Sequence, residues 1–266
     1  MSLLSVEGLK ISAVDRTLVS NLSFAVQPGE RMGLIGESGS GKSLTAMAIT
    51  GLLPGNIVAS GSIMLDGQQV IGAAESNLRQ LRGSATAVIF QEPLTALDPL
   101  MRLGNQIAEP LRRRYRREGT DPQDIRGEVL GLMERVALPD PARIAAAYPY
   151  EVSGGQRQRV AIAMALACRP KLLIADEPTT ALDVTTQAEI LKLLDSLVRD
   201  LGMALLFISH DLPVVANVVD RLTVLREGMA VEQGAVRDVL GAPKNPYTKT
   251  LVEAARAFDQ ALGRAP

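Results

Sequence analysis

The sequence has few of the features that are typical of disulfide-bonded, membrane-spanning, secreted or nucleic-acid-binding proteins. Its 266 residues include one cysteine, Cys168, so no internal disulfide can form, which fits a reducing compartment. No stretch approaches the roughly 20 apolar residues that span a bilayer. Glu7 and Lys10 come too early in the chain for a secretory signal peptide. The net charge of −1 gives no overall attraction to nucleic acid or anionic lipid. If the protein acts at a membrane, we therefore expect another protein to hold it there.

Short apolar runs alternate with segments of helical spacing along most of the chain. Runs bounded by Gly, Pro or Asp predict strands at Leu3–Val6, Leu22–Val26, Arg31–Ile35, Ile63–Leu65, Ala85–Phe90, Leu172–Ala175, Ala204–Ile208 and Leu222–Leu225. Helices are predicted at Leu44–Leu53, Val160–Ala167 and Gln187–Leu201. This alternation predicts an α/β fold with a largely parallel sheet.

Two regions depart from that alternation. From about Leu100 to Ala147, charged and apolar residues follow helical spacing with no strand-like run, which predicts an inserted helical subdomain. After Gly241, the pattern predicts a turn followed by one amphipathic helix.

Residues 36–43 read GESGSGKS and lie between an apolar run and a helical pattern. This is the complete G-x-x-x-x-G-K-[ST] pattern in strand–loop–helix context, although an ordinary glycine-rich turn is the alternative. Glycines let backbone N–H groups turn toward phosphate oxygens, and the helix N-terminus adds positive charge. Lys42 is expected to reach the β- and γ-phosphates and Ser43 to bind Mg²⁺. The predicted nucleotide-binding residues here are Gly36, Glu37, Ser38, Gly39, Ser40, Gly41, Lys42, Ser43 and Leu44.

Two acidic residues end the predicted strand Leu172–Ala175. We expect Asp176 to hold Mg²⁺ through water and Glu177 to orient or deprotonate the attacking water. The alternative is that these two acidic residues only mark the point where a strand ends at the protein surface.

The stretch VSGGQRQR, Val152–Arg159, resembles the signature of the ATP-binding cassette family, an (L/V)SGGQ run that opens a helix. Leucine is usual at the first position, so Val152 is a mild departure. The residues Ser153, Gly154, Gly155 and Gln156 form a second predicted anion site at a helix N-terminus. Because one chain already has its phosphate loop, the second site is expected to serve ATP bound by another subunit in a head-to-tail dimer.

Further motifs of the family occur in the same order. Gln91 is similar to the glutamine that senses Mg²⁺ and the attacking water, and Asp183, in Ala181-Leu182-Asp183, to the aspartate that contacts the opposite subunit. His210, the only histidine, is similar to the residue that touches the γ-phosphate. One element is missing, because no aromatic residue lies near Ala13, where the family usually stacks adenine.

The resemblance implies a P-loop NTPase (RecA-like) core with N-terminal antiparallel strands, and a single cassette ATPase domain over residues 1–266. Residues 1–98 and 156–240 are expected to form the core, 99–155 the helical subdomain with the signature, and 241–266 a helical tail. ATP and Mg²⁺ are the expected cofactors. The implied metal ligands are Ser43, Gln91 and Asp176, and the implied catalytic residues are Glu177, His210 and Gln91.

Several features favour an importer subunit among the cassettes. The short spacing between Lys42 and Ser153 leaves room only for the helical subdomain, and the sequence contains one cassette and no membrane span. Phe90–Pro99, Tyr148–Glu151 and the tail motif Asn245–Thr248 are similar to the oligopeptide, dipeptide and nickel importer branch. Many peptide-importing members continue into a cysteine-rich extension, but no cysteine follows Cys168, so we expect no iron–sulfur site.

That branch implies a peripheral subunit on the cytoplasmic side of the bacterial inner membrane. Its expected partners are a second, similar cassette in a heterodimer, two transmembrane permease subunits and, indirectly, a substrate-binding protein. The binding protein and the membrane subunits select the cargo, so peptide and nickel or metal chelate both stay open. A cassette acting on nucleic acid or another soluble partner is the alternative, with the arginine-rich run Arg112–Arg117 in its favour. We expect that run to be a solvated helix and expect no nucleic-acid partner.

Overall fold

The computed structural model describes residues 2–92, 96–121, 123–180 and 182–261. Residues 93–95, within the predicted branch motif, and Ala181 lie outside the described residues, as do 262–266 of the predicted tail. The chain divides into two compact units: the first contains Met1–Leu78 and Ala204–Pro266, and the second contains Arg79–Met203. Among the described helices, none has both the length and the apolar composition needed to cross a membrane.

Strands and helices alternate through much of the chain. The strands are β1 (Leu4–Ala13), β2 (Arg16–Val26), β3 (Arg31–Ile35), β4 (Ile57–Leu65), β5 (Gln68–Gln69), β6 (Thr86–Ile89), β7 (Leu172–Asp176), β8 (Ala204–Ser209), β9 (Arg221–Arg226) and β10 (Met229–Ala235). The helices are α1 (Lys42–Ile49), α2 (Glu75–Ser84), α3 (Leu103–Glu118), α4 (Ile125–Arg135), α5 (Pro141–Ala146), α6 (Gly154–Leu166), α7 (Val184–Leu201), α8 (Leu212–Val218), α9 (Val236–Gly241) and α10 (Pro246–Ala261).

The first unit contains an antiparallel sheet, in the order β2-β1-β4-β5, and the strands β10-β9-β3-β8. Strand β3 is parallel to both β8 and β9, whereas β10 is antiparallel to β9. Every residue of β8 is buried, as expected for a parallel strand covered on both faces. Ile35 is in register with Ser209, so the chain leaves β3 and β8 at the same edge.

The second unit contains the parallel pair β6 and β7 together with helices α3 to α7. Ile89 is in register with Ala175, so the residues that follow β6 and β7 also emerge at one edge. Strand β7 is buried along its whole length. Helix α6 packs on β6 and contacts α3, α4 and α7, which places the signature helix at the centre of this unit.

The predicted α/β fold with parallel and antiparallel strands is confirmed. Three predicted strands, Leu3–Val6, Leu22–Val26 and Ile63–Leu65, are only the ends of the longer β1, β2 and β4. The rest of these strands was missed because an antiparallel sheet keeps one exposed face, and register shifts in the β1–β2 pairing break the apolar alternation. Strand β10 was missed for a similar reason, since none of its residues is fully buried.

The arginine-rich run lies in α3, where its members differ in environment. Arg114 is buried, at 4% exposure, and donates hydrogen bonds to Glu128 and to the carbonyl oxygen of Ala167. Tyr115 also donates a hydrogen bond to Glu128. Burial alone would raise the pKa of Glu128, but the hydrogen bonds from Tyr115 and Arg114 lower it below its usual value. This one arginine therefore joins α3 to α4 inside the second unit.

Replacing Arg114 with alanine should destabilise the protein by about 2–3 kcal/mol, because Glu128 loses its charged hydrogen-bond donor and the Ala167 carbonyl oxygen loses the hydrogen bond from Arg114. The value is below that of a fully buried pair because the Glu128 side chain is 31% exposed. Urea unfolding followed by circular dichroism measures it. Arg112→Ala is the matched control, since Arg112 is exposed and forms a surface ion pair with Glu109 three residues away, and it should change stability by less than about 0.5 kcal/mol. Equal effects of the two variants would contradict a structural role for Arg114.

Candidate functional site

The predicted phosphate loop connects β3 to α1 in the first unit. Gly39 and Gly41 have φ angles of 79° and 98°, in the left-handed region that favours glycine. A Cβ atom at Gly36 would collide with the carbonyl oxygen of Leu225, and one at Gly41 would lie 2.6 Å from Val19 Cγ2. A Cβ at Gly39 would meet no atom within 4 Å. The loop is therefore pressed against β2 and β9 at its two ends and open at Gly39.

Lys42 folds back over this loop instead of extending into solvent. Its side chain is buried, and its Nζ donates hydrogen bonds to the carbonyl oxygens of Gly36, at 2.8 Å, and Glu37, at 2.9 Å. An ammonium group is thus held at the loop before any ligand binds. The remaining loop residues are exposed at Glu37, Ser38, Gly39 and Ser43, half-buried at Leu44, and buried at Ser40 and Gly41.

The loop suits a phosphate ligand. The Ser40 hydroxyl is buried and has no hydrogen-bond partner among the described residues. Such a hydroxyl, in the same loop as the fixed ammonium group, can donate to an anionic oxygen. Ser43 lies in the first turn of α1 with its side chain exposed, and a hydroxyl oxygen is a ligand that Mg²⁺ accepts. These residues fit a nucleoside triphosphate with its metal ion.

His210 follows β8 directly and is exposed. Because β3 and β8 are parallel and Ile35 is in register with Ser209, His210 and Gly36 leave their strands at the same edge. The structure therefore brings the predicted γ-phosphate contact and the start of the phosphate loop to one side of the first unit.

The second unit brings Gln91 and Glu177 together. Gln91 Nε2 donates a hydrogen bond to Glu177 Oε2 at 3.2 Å, and Thr180 Oγ1 donates to the same oxygen at 3.1 Å. Asp176 is the last residue of β7 and is buried, at 6% exposure. The Asp176 carboxylate and the Gln91 amide oxygen are both hard oxygen ligands of the kind that suits Mg²⁺.

Glu177 adopts a backbone conformation that side chains with a Cβ atom rarely take. Its φ angle is 47°, which costs an ordinary residue about 1–2 kcal/mol. Such strain is tolerated where the backbone must place a functional side chain. Here the turn places the carboxylate of Glu177 within hydrogen-bond distance of Gln91. Nothing in the sequence pattern singles out Thr180 as a contact of Glu177 except its place three residues later in the same turn.

The predicted signature residues begin α6. Ser153 Oγ accepts a hydrogen bond from the backbone N–H of Gln156, whose side chain accepts one from the N–H of Ser153. This reciprocal capping box fixes the start of the helix. Ser153 and Gly154 are exposed, whereas a Cβ atom at Gly155 would lie 2.6 Å from Thr186 Cγ2. The second glycine is thus required by packing, and the first leaves the helix terminus open.

Asp183 is the N-cap residue of α7. Its Oδ1 accepts a hydrogen bond from the backbone N–H of Thr186 at the start of α7, and that bond lowers the pKa of Asp183. The carboxylate is exposed. Ala13 is the last residue of β1 and pairs with Arg16 of β2 and Ile57 of β4, so the position where an adenine platform is missing lies at the end of an inner strand of the antiparallel sheet.

Comparison with known proteins agrees with this set of motifs. The family profile described as ABC transporter matches residues 19–180, more than half of the chain. The chain belongs to the ABC transporter family. It is an ATP-binding cassette, the class of domain that hydrolyses ATP, and the predicted resemblance is confirmed.

Three curated relatives are bacterial proteins named as import or transport ATP-binding proteins. The glutathione import ATP-binding protein GsiA of Escherichia coli (strain K12) is 44% identical over 264 residues, which cover 95% of this chain. The match covers 42% of GsiA, so this chain spans about two fifths of that relative's length. The probable D,D-dipeptide transport ATP-binding protein DdpD of the same strain is 46% identical, with 89% of this chain and 72% of DdpD covered. The oligopeptide transport ATP-binding protein OppD of Salmonella typhimurium (strain LT2) is 43% identical, with 97% and 77% covered.

A solved cassette shares the fold. The dimeric post-hydrolysis structure of the ATP-binding cassette MJ0796, bound to ADP and Pi, superposes with a TM-score of 0.77 at 28% sequence identity. The match covers 88% of this chain and 99% of MJ0796. The ABC cassette fold predicted from the motifs is therefore the fold of this chain.

Proposed function

We propose that this chain is the ATP-hydrolysing subunit of a bacterial importer of short peptides. The observation that carries the hydrolytic part is the carboxylate of Glu177, held by Gln91 and Thr180 directly after the buried Asp176. A carboxylate fixed by two neutral donors keeps acceptor positions for a water molecule. This carboxylate therefore meets the requirements of a general base, in a family whose members hydrolyse ATP.

In this proposal the phosphate loop binds ATP. Lys42 contacts the β- and γ-phosphates, and backbone N–H groups of residues 38–44 surround the phosphate oxygens. Ser43, Asp176 and Gln91 hold Mg²⁺. When bound, Mg²⁺ supplies positive charge that offsets the charge on the phosphates.

Hydrolysis then depends on three side chains. Glu177 accepts a proton from the attacking water, Gln91 orients the glutamate and the water, and His210 contacts the γ-phosphate. The products are ADP and inorganic phosphate. Loss of the γ-phosphate removes the charge that the proposed dimer recognises, so the two cassettes separate.

The signature residues are proposed to act on ATP bound to a second cassette. The exposed terminus at Ser153 and Gly154, with Gly155 and Gln156 behind it, offers N–H groups and a hydroxyl to an anion from outside the chain. The exposed carboxylate of Asp183 is proposed to contact the same partner. We propose a heterodimer with a similar but distinct cassette, as the branch resemblance implies.

A cavity in the second unit supports a contact with a permease subunit. It has a volume of about 310 Å³ and is lined largely by apolar side chains, including Phe90 directly after β6, Pro110 of α3 and Met164 of α6. Gln106 and Arg113 provide polar groups at its wall. We propose that a cytoplasmic helix of a transmembrane subunit docks here and that the Gln91–Met101 region takes part in the contact. The chain would then act at the cytoplasmic side of the inner membrane.

The names of the relatives favour peptides as cargo. GsiA, DdpD and OppD are named for glutathione, D,D-dipeptide and oligopeptide transport, and all three of these cargoes are short peptides. We propose that a substrate-binding protein and two permease subunits select such a cargo. Nickel or a metal chelate is the alternative within the same importer branch.

A pull-down from detergent-solubilised membranes of the native host tests the proposal. Tagged Glu177→Gln protein, captured with ATP present, should bring two polytopic membrane proteins and a second cassette with it. Capture of ribosomes or nucleic acid without a membrane protein would contradict the transport proposal and favour a cassette acting on a soluble partner. The substrate-binding protein encoded with the captured subunits would then separate peptide from metal cargo.

A further inference from the structure

The phosphate loop has a contact that neither its motif nor the proposed mechanism explains. The backbone N–H of Glu37 donates a hydrogen bond to the phenolic oxygen of Tyr247, at 3.3 Å. Tyr247 is the second residue of α10 and lies 210 positions further along the chain. Its side chain is buried at 8% exposure, although Glu37 itself is exposed.

Tyr247 is held in place from several sides. Asn245 Oδ1 accepts a hydrogen bond from the N–H of Tyr247, and the carboxylate of Glu232 accepts from the N–H groups of Lys244 and Asn245. The guanidinium of Arg226 lies over the Tyr247 ring, 4.9 Å from its centroid. The start of α10 is thus tied to β10 and to the end of β9, and the phenol has little freedom.

The peptide group between Gly36 and Glu37 is held at both of its polar ends. Its carbonyl oxygen, which belongs to Gly36, accepts a hydrogen bond from Lys42 Nζ at 2.8 Å. Its N–H, which belongs to Glu37, donates to Tyr247. Since a peptide group is planar, its C=O and N–H point in opposite directions, so fixing the N–H also fixes the carbonyl that holds the lysine.

We propose that Tyr247 is a positioning residue for the phosphate loop, which orients the Gly36–Glu37 peptide so that its carbonyl holds Lys42 in the site. The inference rests on the proposed function of the loop in ATP binding. Without the phenolic oxygen, this peptide can rotate, and Lys42 then spends part of its time away from the position that faces the phosphates. The first turn of α10 thereby sets the affinity of the loop for nucleotide.

The test is Tyr247→Phe in the full chain, because phenylalanine keeps the ring, its burial and its contact with Arg226 but lacks the acceptor oxygen. The dissociation constant of Mg²⁺-ADP, measured by isothermal titration calorimetry, should rise about threefold to tenfold, the net worth of one hydrogen bond. The KM for ATP should rise by the same factor with kcat unchanged. Amide hydrogen exchange at Glu37 in the nucleotide-free protein should become about tenfold faster.

Tyr115→Phe is the matched control, because it removes a tyrosine hydroxyl that is hydrogen-bonded to Glu128 within the second unit. It should leave the dissociation constant of ADP and the exchange at Glu37 unchanged. If wild-type protein binds no ADP, the proposed function fails. If wild-type protein binds ADP and Tyr247→Phe has the same affinity and the same exchange rate at Glu37, the positioning role alone is overturned. A fall in kcat with unchanged KM would also overturn it.

Discussion

Replacing Glu177 with glutamine should lower the rate of ATP hydrolysis by about two to four orders of magnitude while leaving ATP binding intact, the range expected when a general base is removed. Glutamine has nearly the same size and shape as glutamate. Its carbonyl oxygen can still accept the hydrogen bonds that Gln91 and Thr180 donate to the carboxylate in wild type. What is lost is the basic oxygen that would take a proton from water.

The same variant should accumulate a closed dimer with the partner cassette. If ATP holds the two cassettes together and hydrolysis releases them, a subunit that binds ATP without hydrolysing it should remain associated. Size-exclusion chromatography of the two cassettes with and without ATP measures this association. In wild type the ATP-dependent dimer should be transient, and in the Glu177→Gln protein it should persist.

Glu134→Gln provides the control for charge and for the chemical change itself. Glu134 is an exposed residue of α4, so the same substitution there should leave turnover and dimer lifetime unchanged. Steady-state phosphate release by wild type, Glu177→Gln and Glu134→Gln should be compared at saturating ATP. A Glu177→Gln protein that hydrolyses ATP at the wild-type rate would show that another group acts as the base.

Local patterns were enough to locate most of the candidate site. The phosphate loop is recognisable because glycines, a lysine and a serine occur at fixed spacing between a strand and a helix. The structure supplies the reason for two of these glycines, since Gly36 and Gly41 leave no space for a Cβ atom. The capping box at Ser153 is likewise a short-range feature that a sequence reveals.

Contacts between distant parts of the chain could not be predicted in this way. The hydrogen bond between Glu37 and Tyr247 joins residues 210 positions apart, and no periodicity encodes it. The tail motif Asn245–Thr248 was noticed only as a family resemblance, without a role. The left-handed backbone of Glu177 was also missed, because glutamate has no intrinsic preference for that conformation and the surrounding fold imposes it.

The arginine-rich run shows that composition alone does not predict which arginines are exposed and which are buried. A count of charges predicts a solvated helix, and the exposed Arg112 follows that prediction. Arg114 does not, because it is buried and bonded to Glu128 and Ala167. Two arginines two positions apart on a helix point in different directions, so composition cannot separate the surface residue from the structural one.

Replacing Lys42 with alanine should weaken binding of Mg²⁺-ATP by about tenfold to a hundredfold or more, because a charged hydrogen bond to phosphate is worth about 1.5–3 kcal/mol. The same substitution should also disorder the loop, because of where the lysine lies. Lys42 Nζ also donates to the carbonyl oxygens of Gly36 and Glu37, so its removal leaves two loop carbonyls without this donor. Loss of charge and loss of loop order therefore act in the same direction. Isothermal titration calorimetry with ATP and Mg²⁺ measures the sum.

The two effects separate when ATP is compared with ADP. A direct contact between the ammonium group and the γ-phosphate predicts a larger loss for ATP than for ADP, whereas a disordered loop weakens both nucleotides by similar factors. Lys10→Ala is the matched control, since Lys10 is an exposed residue of β1 in the same unit and should change neither affinity. An unchanged affinity of the Lys42→Ala protein for both nucleotides would contradict the assignment of the phosphate loop. A loss confined to ATP would place Lys42 on the γ-phosphate alone, whereas equal losses would assign its effect to the β-phosphate contact and to the support of the loop that Tyr247 holds from the other side.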